Sequence, residues 1–298
     1  MEIKVLVTGG AGFVGSSLIK KLITMEEQDF IIISLDNYSS GNKSNEIINK
    51  KVTYLKGNTW NILEIEELKD FKPDIIYHFG EFSRIFLSFK NINKMYMSNM
   101  LGTQQVLEYA ILNNSKFVYS GSSAIFGNDM KDQNLSPYSW TKSKNIELVH
   151  NYKKWFNLNF AICYFYNVYG PGQICEGSYA TVIGIFENLY RNNKPLTVVK
   201  PGTQTRCFTH IEDIVEGLIL IGQKGCGDDY HLGFNESKSI LDIVKMFDTE
   251  YVFIDERNGN RKSSEVQSDK CLKELNWEAK LRIEDYIDNI KENKKKIE

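Results

Sequence analysis

The hydrophobic pattern opens with an apolar run, Val5-Leu6-Val7, that breaks into Thr8-Gly9-Gly10-Ala11-Gly12-Phe13-Val14-Gly15 and resumes with helical spacing. This predicts strand, tight turn, helix. Further apolar runs follow at Phe30–Leu35, Val52–Leu55, 74–79, Phe117–Ser120 and Phe160–Phe165. Amphipathic stretches separate them: a short helix over 62–68, a long one over 91–113, and another opened by Ser136-Pro137, a cap followed by proline at the first helical position. Alternating strands and helices predict a parallel sheet covered on both faces, with all strand C-termini on one edge. Beyond Asn167 the pattern is less regular. It predicts a turn at 169–172, helices over 180–191 and 211–222, strands near 196–199 and 230–232, and a small α/β unit from Ser239 to a polar terminal helix.

The glycines of the first turn carry the earliest chemical signal. Gly9 permits the tight turn, Gly12 lets the backbone approach a pyrophosphate, and Gly15 lets the helix lie close on the strand. A pyrophosphate there meets free N–H groups and the positive end of the helix dipole. The second strand ends in Asp36, at the distance where a dinucleotide fold places the acid that accepts from the adenosine ribose hydroxyls. A carboxylate in that place repels a 2′-phosphate, so the expected cofactor is NAD rather than NADP. The expected fold is α/β, a Rossmann-type doubly wound parallel sheet with a smaller C-terminal α/β substrate lobe. The expected division is 1–166 plus about 205–235 for the NAD-binding part, and about 167–204 plus 236–298 for the lobe.

Composition narrows the class. At 298 residues, with ordinary apolar and charged fractions and a net charge of −2, the chain has no long-range field for nucleic acid or an anionic membrane. The cysteines at 163, 175, 207, 226 and 271 are odd in number and lack metal-ligand spacing, so neither a disulfide framework nor a metal site is expected. No apolar run approaches the roughly 20 residues that span a bilayer. A cytoplasmic protein is expected.

Tyr138 and Lys142 stand four apart at the start of one helix and project from one face. A phenol loses its proton near pH 10 in water, and a nearby cation favours the phenolate. Tyr138 is thus a candidate base that takes a proton from a hydroxyl while hydride leaves the same carbon, with Lys142 as the cation. Ser122, on the loop after the fifth strand, is placed to bond the same hydroxyl.

Thr8–Ser16, Asp36-Asn37, Asn99 with Gly102-Thr103, Ser122, Ser136-Pro137-Tyr138 with Lys142, Asn167–Pro171 and Arg206 with Asp213 occur in that order. In this the chain resembles the extended short-chain dehydrogenases/reductases of the nucleotide-sugar epimerase and dehydratase group, over nearly its whole length. The resemblance implies NAD contacts from Gly9, Gly12, Phe13, Val14, Gly15, Asp36, Asn37, Asn58, Thr59, Phe79, Gly80, Glu81, Asn99, Tyr138, Lys142 and Tyr166. It implies a nucleotide-diphosphate sugar between the lobes, met by Ser122, Ser123, Asn167 and Arg206 and by one of Arg257 and Arg261. A homodimer through the helices at about 91–113 and 137–156, and a role in polysaccharide precursor supply, are family expectations too.

Three departures stand out. Asn58 replaces the usual Asp after the third strand; His78-Phe79-Gly80-Glu81 replaces the usual His-x-Ala-Ala; and Glu265 falls where related epimerases often carry an aromatic residue. Glu81 reads either as an outward-facing loop acid or as a carboxylate near the cofactor. Dehydratases of the group carry an Asp-Glu pair directly after the active-site Ser or Thr, where this chain has Ser123 and Ala124. The resemblance therefore favours a 4-epimerase of UDP-hexose or UDP-N-acetylhexosamine type. A 4,6-dehydratase, decarboxylase or oxidoreductase of the same group is the second reading, and a non-enzymatic NAD-binding regulator a remote third.

Overall fold

The computed structural model describes residues 2–128, 133–256, 258–259 and 261–296. Six strands follow the alternation: β1 (Ile3–Thr8), β2 (Phe30–Asp36), β3 (Val52–Lys56), β4 (Ile75–His78), β5 (Lys116–Ser122) and β6 (Phe160–Phe165). With Gly227–Leu232 they form a seven-stranded sheet in the order Gly227–Leu232, β6, β5, β4, β1, β2, β3. Every pairing in it is parallel. Such strands are buried on both faces, which explains why they read as near-continuous apolar runs.

The two faces carry separate cores. On one, Val5, Val7, Ile32 and Tyr77 pack with helix Phe13–Thr24 and helix Ile211–Lys224. On the other, Leu6, Ile33, Ile76, Phe117 and Tyr119 pack with helices Gly102–Asn113 and Pro137–Phe156. The long helix expected over 91–113 is built from an α turn at Ile92–Met95, a π segment at Tyr96–Leu101 and the α-helix Gly102–Asn113. A π segment re-aims side chains that a regular helix would point elsewhere, and often lies at functional sites. The short helix expected near 62–68 is a 3-10 segment, Thr59–Glu64, followed by the turn Glu66–Lys69.

A third core gathers Tyr169, Phe186, Leu196, Val198, Ile243, Phe247, Ile287 and Ile290. It joins helices Val182–Arg191, Ile240–Phe247 and Ile283–Lys295 to the strand pair Leu196–Val199 and Tyr251–Ile254. One segment departs from the expected division. Cys271, Leu275 and Trp277 belong to the core of the large sheet, not to the lobe. Trp277 Nε1 donates to Asp213 O at 3.1 Å, and the Lys280 and Leu281 N–H groups donate to the Asp213 carboxylate at 3.0 and 2.9 Å. These bonds tie the returning chain to helix Ile211–Lys224. No helix among the described residues is long and apolar enough to cross a membrane.

Candidate active site

The cavity between the sheet edge and the lobe measures about 510 Å³. Gly9, Gly12, Phe13, Val14, Gly15, Asp36, Asn37, Thr59, Phe79, Gly80 and Glu81 line its nucleotide end. Ser122, Tyr138, Lys142, Asn167 and Arg206 line the rest, with Arg84, Tyr179, Thr181 and Gln204 from segments the sequence did not single out.

The glycine turn is shaped for close approach. Gly9 has φ +73°, and a Cβ there would lie 2.8 Å from the Phe79 carbonyl; a Cβ on Gly15 would lie 2.3 Å from Gly9 O. The first would wedge the turn away from the loop after β4, and the second would push the first turn of helix Phe13–Thr24 off the glycine turn. Asp36 accepts from the Ala11 N–H at 3.0 Å and the Tyr38 N–H at 2.7 Å. Burial pushes its carboxyl up from the ordinary carboxylate value against these bonds. The cradle and the acid fit a dinucleotide with a free ribose 2′-hydroxyl.

Ser122 Oγ accepts from the Ala124 N–H at 3.2 Å at the end of β5. Tyr138 and Lys142 lie in the first two turns of helix Pro137–Phe156, both buried. That helix starts where Ser136 and Ser139 cap each other reciprocally.

Glu81 is buried inward, not an outward-facing loop acid: its side chain is 2% exposed and ion-paired with Lys142, itself 5% exposed. The Glu81 carboxylate also accepts from Thr103 Oγ1 at 2.8 Å, Asn145 Nδ2 at 2.8 Å and the Tyr119 hydroxyl at 3.1 Å. Lys142 donates its second bond to Ser120 O at 2.5 Å and lies 4.9 Å from the centre of the Tyr119 ring. Burial, reinforced by the Glu81 charge, drives the Tyr119 hydroxyl well above the ordinary phenol value. It therefore stays protonated and keeps donating.

The network continues to the glycine turn. The Gly80 N–H donates to Thr8 Oγ1 at 3.0 Å, which leaves that hydroxyl to donate to His78 Nδ1 at 2.7 Å. With Nδ1 accepting, Nε2 carries the proton and donates to Thr103 Oγ1 at 2.9 Å, whose own hydrogen goes to Glu81. Burial holds the ring neutral, pushing its pKa down to about 4. Hydrogen bonds thus run in one direction from Thr8, at the end of β1, to the carboxylate that holds Lys142.

Several candidate residues stand off the cavity wall. Asn58 Oδ1 accepts from Asn37 Nδ2 at 2.9 Å, and the Tyr166 hydroxyl is paired with His231 Nδ1 at 2.7 Å. Asn99, inside the π segment, bonds the Phe82 N–H at 2.7 Å and Thr141 Oγ1 at 3.1 Å. It holds the chain after Glu81. Arg261 is buried against Ser123: its guanidinium donates to the Ser123 carbonyl, to Ser123 Oγ at 3.3 Å and to Ser264 Oγ at 2.9 Å. Neither Arg261 nor Ser123 is on the cavity wall, and Arg257 lies outside the described residues. Arg206 donates to Thr205 O at 2.7 Å and Arg261 O at 2.8 Å; burial, with Arg261 adding, pushes it down to about 10. The five cysteines are unpaired, and no group of three or more metal-ligating side chains occurs among the described residues.

Residues 5–233 match the NAD dependent epimerase/dehydratase family. The dTDP-D-glucose 4,6-dehydratase of Dictyostelium discoideum is 32% identical over 273 residues, covering 81% of this chain and 61% of that longer protein. The UDP-glucose 4-epimerase of Thermotoga maritima, solved with UDP-glucose, superposes with TM-score 0.90 at 24% identity, over 99% of this chain and 100% of that one. The UDP-glucuronic acid 4-epimerase of Bacillus cereus, solved with NAD and a fluorinated UDP-glucuronic acid, gives TM-score 0.88 at 25% identity over 99% and 100%. The first of these structures speaks to the fold alone. With the match extending from β1 to Gly233, the chain belongs to the NAD-dependent epimerase/dehydratase family, and its cofactor is NAD.

Proposed function

We propose that the protein is a nucleotide-sugar 4-epimerase, acting on a UDP-hexose or a close relative through a transient 4-keto sugar. The observation that carries this reading is the commitment of Glu81. Among the described residues, Asp36 and Glu81 are the carboxylates that line the cavity. Asp36 is held by backbone N–H groups at the nucleotide end, and Glu81 is saturated by Lys142, Thr103, Asn145 and Tyr119. Eliminating water from the sugar needs a further acid and base at the reacting carbons. Ser123 and Ala124, in the places where dehydratases of the group carry acids, do not supply them.

An epimerase asks less of the chain. Tyr138 takes the proton of the C4 hydroxyl, and Ser122 bonds the same oxygen as it becomes a carbonyl. NAD held by the glycine turn and Asp36 would supply a hydride acceptor for C4 and the means of returning that hydride. Lys142, fixed by Glu81 and Ser120, keeps its ammonium one helical turn from Tyr138. Asn167 and Arg206 hold the diphosphate by charge-assisted bonds while the 4-keto sugar turns to present the other face of C4, and Tyr138 then returns the proton to the C4 oxygen. The relatives support both branches, since a dTDP-D-glucose 4,6-dehydratase and a UDP-glucuronic acid 4-epimerase stand among them.

The test is incubation of the purified protein with UDP-, dTDP-, GDP- and CDP-sugars without added reduced cofactor, followed by mass and proton spectra. A product of unchanged mass with inverted C4 coupling is expected. A product lighter by one water, or by carbon dioxide, would replace this reading with the dehydratase or decarboxylase one.

A further inference from the structure

Arg84 follows Glu81 by three residues, at the start of the short helix Ile85–Ser88, and lines the cavity with Tyr138, Tyr179 and Thr181. Its Nε and Nη2 both donate to the carbonyl of Tyr179, Nε at 2.8 Å, and its Nη1 reaches Ser83 O at 3.3 Å. A guanidinium has five N–H groups. These bonds use three and leave one on each terminal nitrogen, the fork that takes a carboxylate in bidentate fashion. No carboxylate among the described residues is ion-paired with Arg84. Burial works against its charge, and the groups that favour that charge are the phenols of Tyr138 and Tyr179.

Arg84 is half-buried, and a partly desolvated cation without an anionic partner is stabilised when a ligand supplies one. Within the cavity, the Lys142 charge is already balanced by Glu81. Arg206, on the strand Thr205–Cys207, is assigned above to the diphosphate. Arg84 instead accompanies Tyr138, which acts on the sugar ring. We infer that Arg84 is a specificity residue that pairs a carboxylate carried by the sugar itself, so that the preferred substrate is a nucleotide-linked uronic acid. The inference rests on the nucleotide-sugar reading of the site and narrows it from hexoses in general to acidic ones. Its geometric basis is the open Nη1–Nη2 fork on the wall that Tyr138 shares.

The test is binding, so that it does not depend on which reaction follows. Tyr138→Phe, which removes the candidate base, is loaded with NAD and titrated calorimetrically with UDP-glucuronate and UDP-glucose, and with the corresponding dTDP and GDP pairs. The expected result is at least ten-fold tighter binding of the uronate within the pair that binds. Adding Arg84→Met should bring that ratio to within two-fold, and Arg84→Lys should keep part of it. A ratio near one in the Tyr138→Phe protein would overturn the inference without any Arg84 variant having to fold. So would an Arg84→Met protein, shown to retain NAD, that weakens both ligands equally, because this would place Arg84 on the diphosphate. Failure of every pair to bind would remove the nucleotide-sugar reading itself, a distinct outcome that takes this inference with it.

Discussion

Removing the Glu81 side chain should be among the most damaging single changes outside the apolar core. In Glu81→Ala the Lys142 ammonium, 5% exposed, keeps Ser120 O as a partner but loses its counter-charge. Breaking a buried ion pair from one side costs about 3–5 kcal/mol. The donors on Thr103, Asn145 and Tyr119 are orphaned as well, so at least the middle of that range is the expectation, about 4 kcal/mol. Against a total stability of roughly 5–15 kcal/mol this is a large share. At about 2–4 °C per kcal/mol for a chain of this size or slightly smaller, the melting temperature should fall by roughly 8–16 °C. Lys142→Met alone should cost less, because the carboxylate keeps three neutral donors. The double variant removes both charges, so it should be more stable than the sum of the singles predicts, by about 1–3 kcal/mol. Urea unfolding of the four proteins, stripped of NAD so that cofactor linkage does not enter, gives the cycle. A Glu81→Ala protein within 1 kcal/mol of wild type would refute the reasoning, as would singles that add to within 0.5 kcal/mol.

The remaining predictions concern titration, cofactor and assembly. The unfolded chain protonates His78 near 6.5 and the folded chain not until about 4, so between these values the unfolded state binds more protons. This group's contribution is therefore full above 6.5 and is lost as pH falls toward 4, by about 3 kcal/mol in all. Ring resonances of His78 that stay neutral at pH 5.5 are expected by NMR, and a midpoint near 6.5 would contradict the buried Thr8–His78–Thr103 chain. Asp36→Ala should weaken NAD roughly 10- to 150-fold, the loss of a charged hydrogen-bond acceptor at about 1.5–3 kcal/mol. NADP should not replace NAD in the parent protein, and equal affinity for the two would count against Asp36 as the ribose acid. Exposed Phe86, Phe89, Ile92, Tyr96, Met97, Trp155 and Phe156 leave apolar surface on and beside the two long helices, and we expect a homodimer there. Light scattering should give twice the chain mass, with Trp155→Glu shifting it toward one; a parent protein monomeric at micromolar concentration would count against this.

The sheet was legible because a doubly covered parallel strand has to be apolar along its length, and β1, β2, β5 and β6 announce themselves that way. The glycine turn, Asp36, Tyr138 and Lys142 could be singled out because each belongs to a short local pattern: closely spaced glycines after an apolar strand, an acid at the end of the next strand, and a four-residue spacing on one helix. Glu81 was not. Its burial depends on Thr103, Tyr119, Asn145 and Lys142, which come from three separate elements and meet only when the sheet is assembled. The π segment at Tyr96–Leu101 was hidden for a similar reason, since it is held by the Asn99 bonds to Phe82 and Thr141 and not by local propensity. Cys271, Leu275 and Trp277 follow the lobe in sequence but pack on the sheet, and spacing along the chain carries no trace of that return. Arg84 carried no signal in the sequence, because its partner, the Tyr179 carbonyl, lies 95 residues away.

In the proposed reaction hydrogen leaves C4 of the sugar and returns to C4. The most direct measurement is the fate of deuterium placed at C4 of whichever nucleotide sugar the protein turns over, run in ordinary water and followed by NMR of the equilibrated mixture. Label retained at C4 in both epimers, with none exchanged into solvent, is the expected result. Label found at C6 of a dehydrated product, or an altered sugar whose C4 deuterium was never displaced, would contradict it.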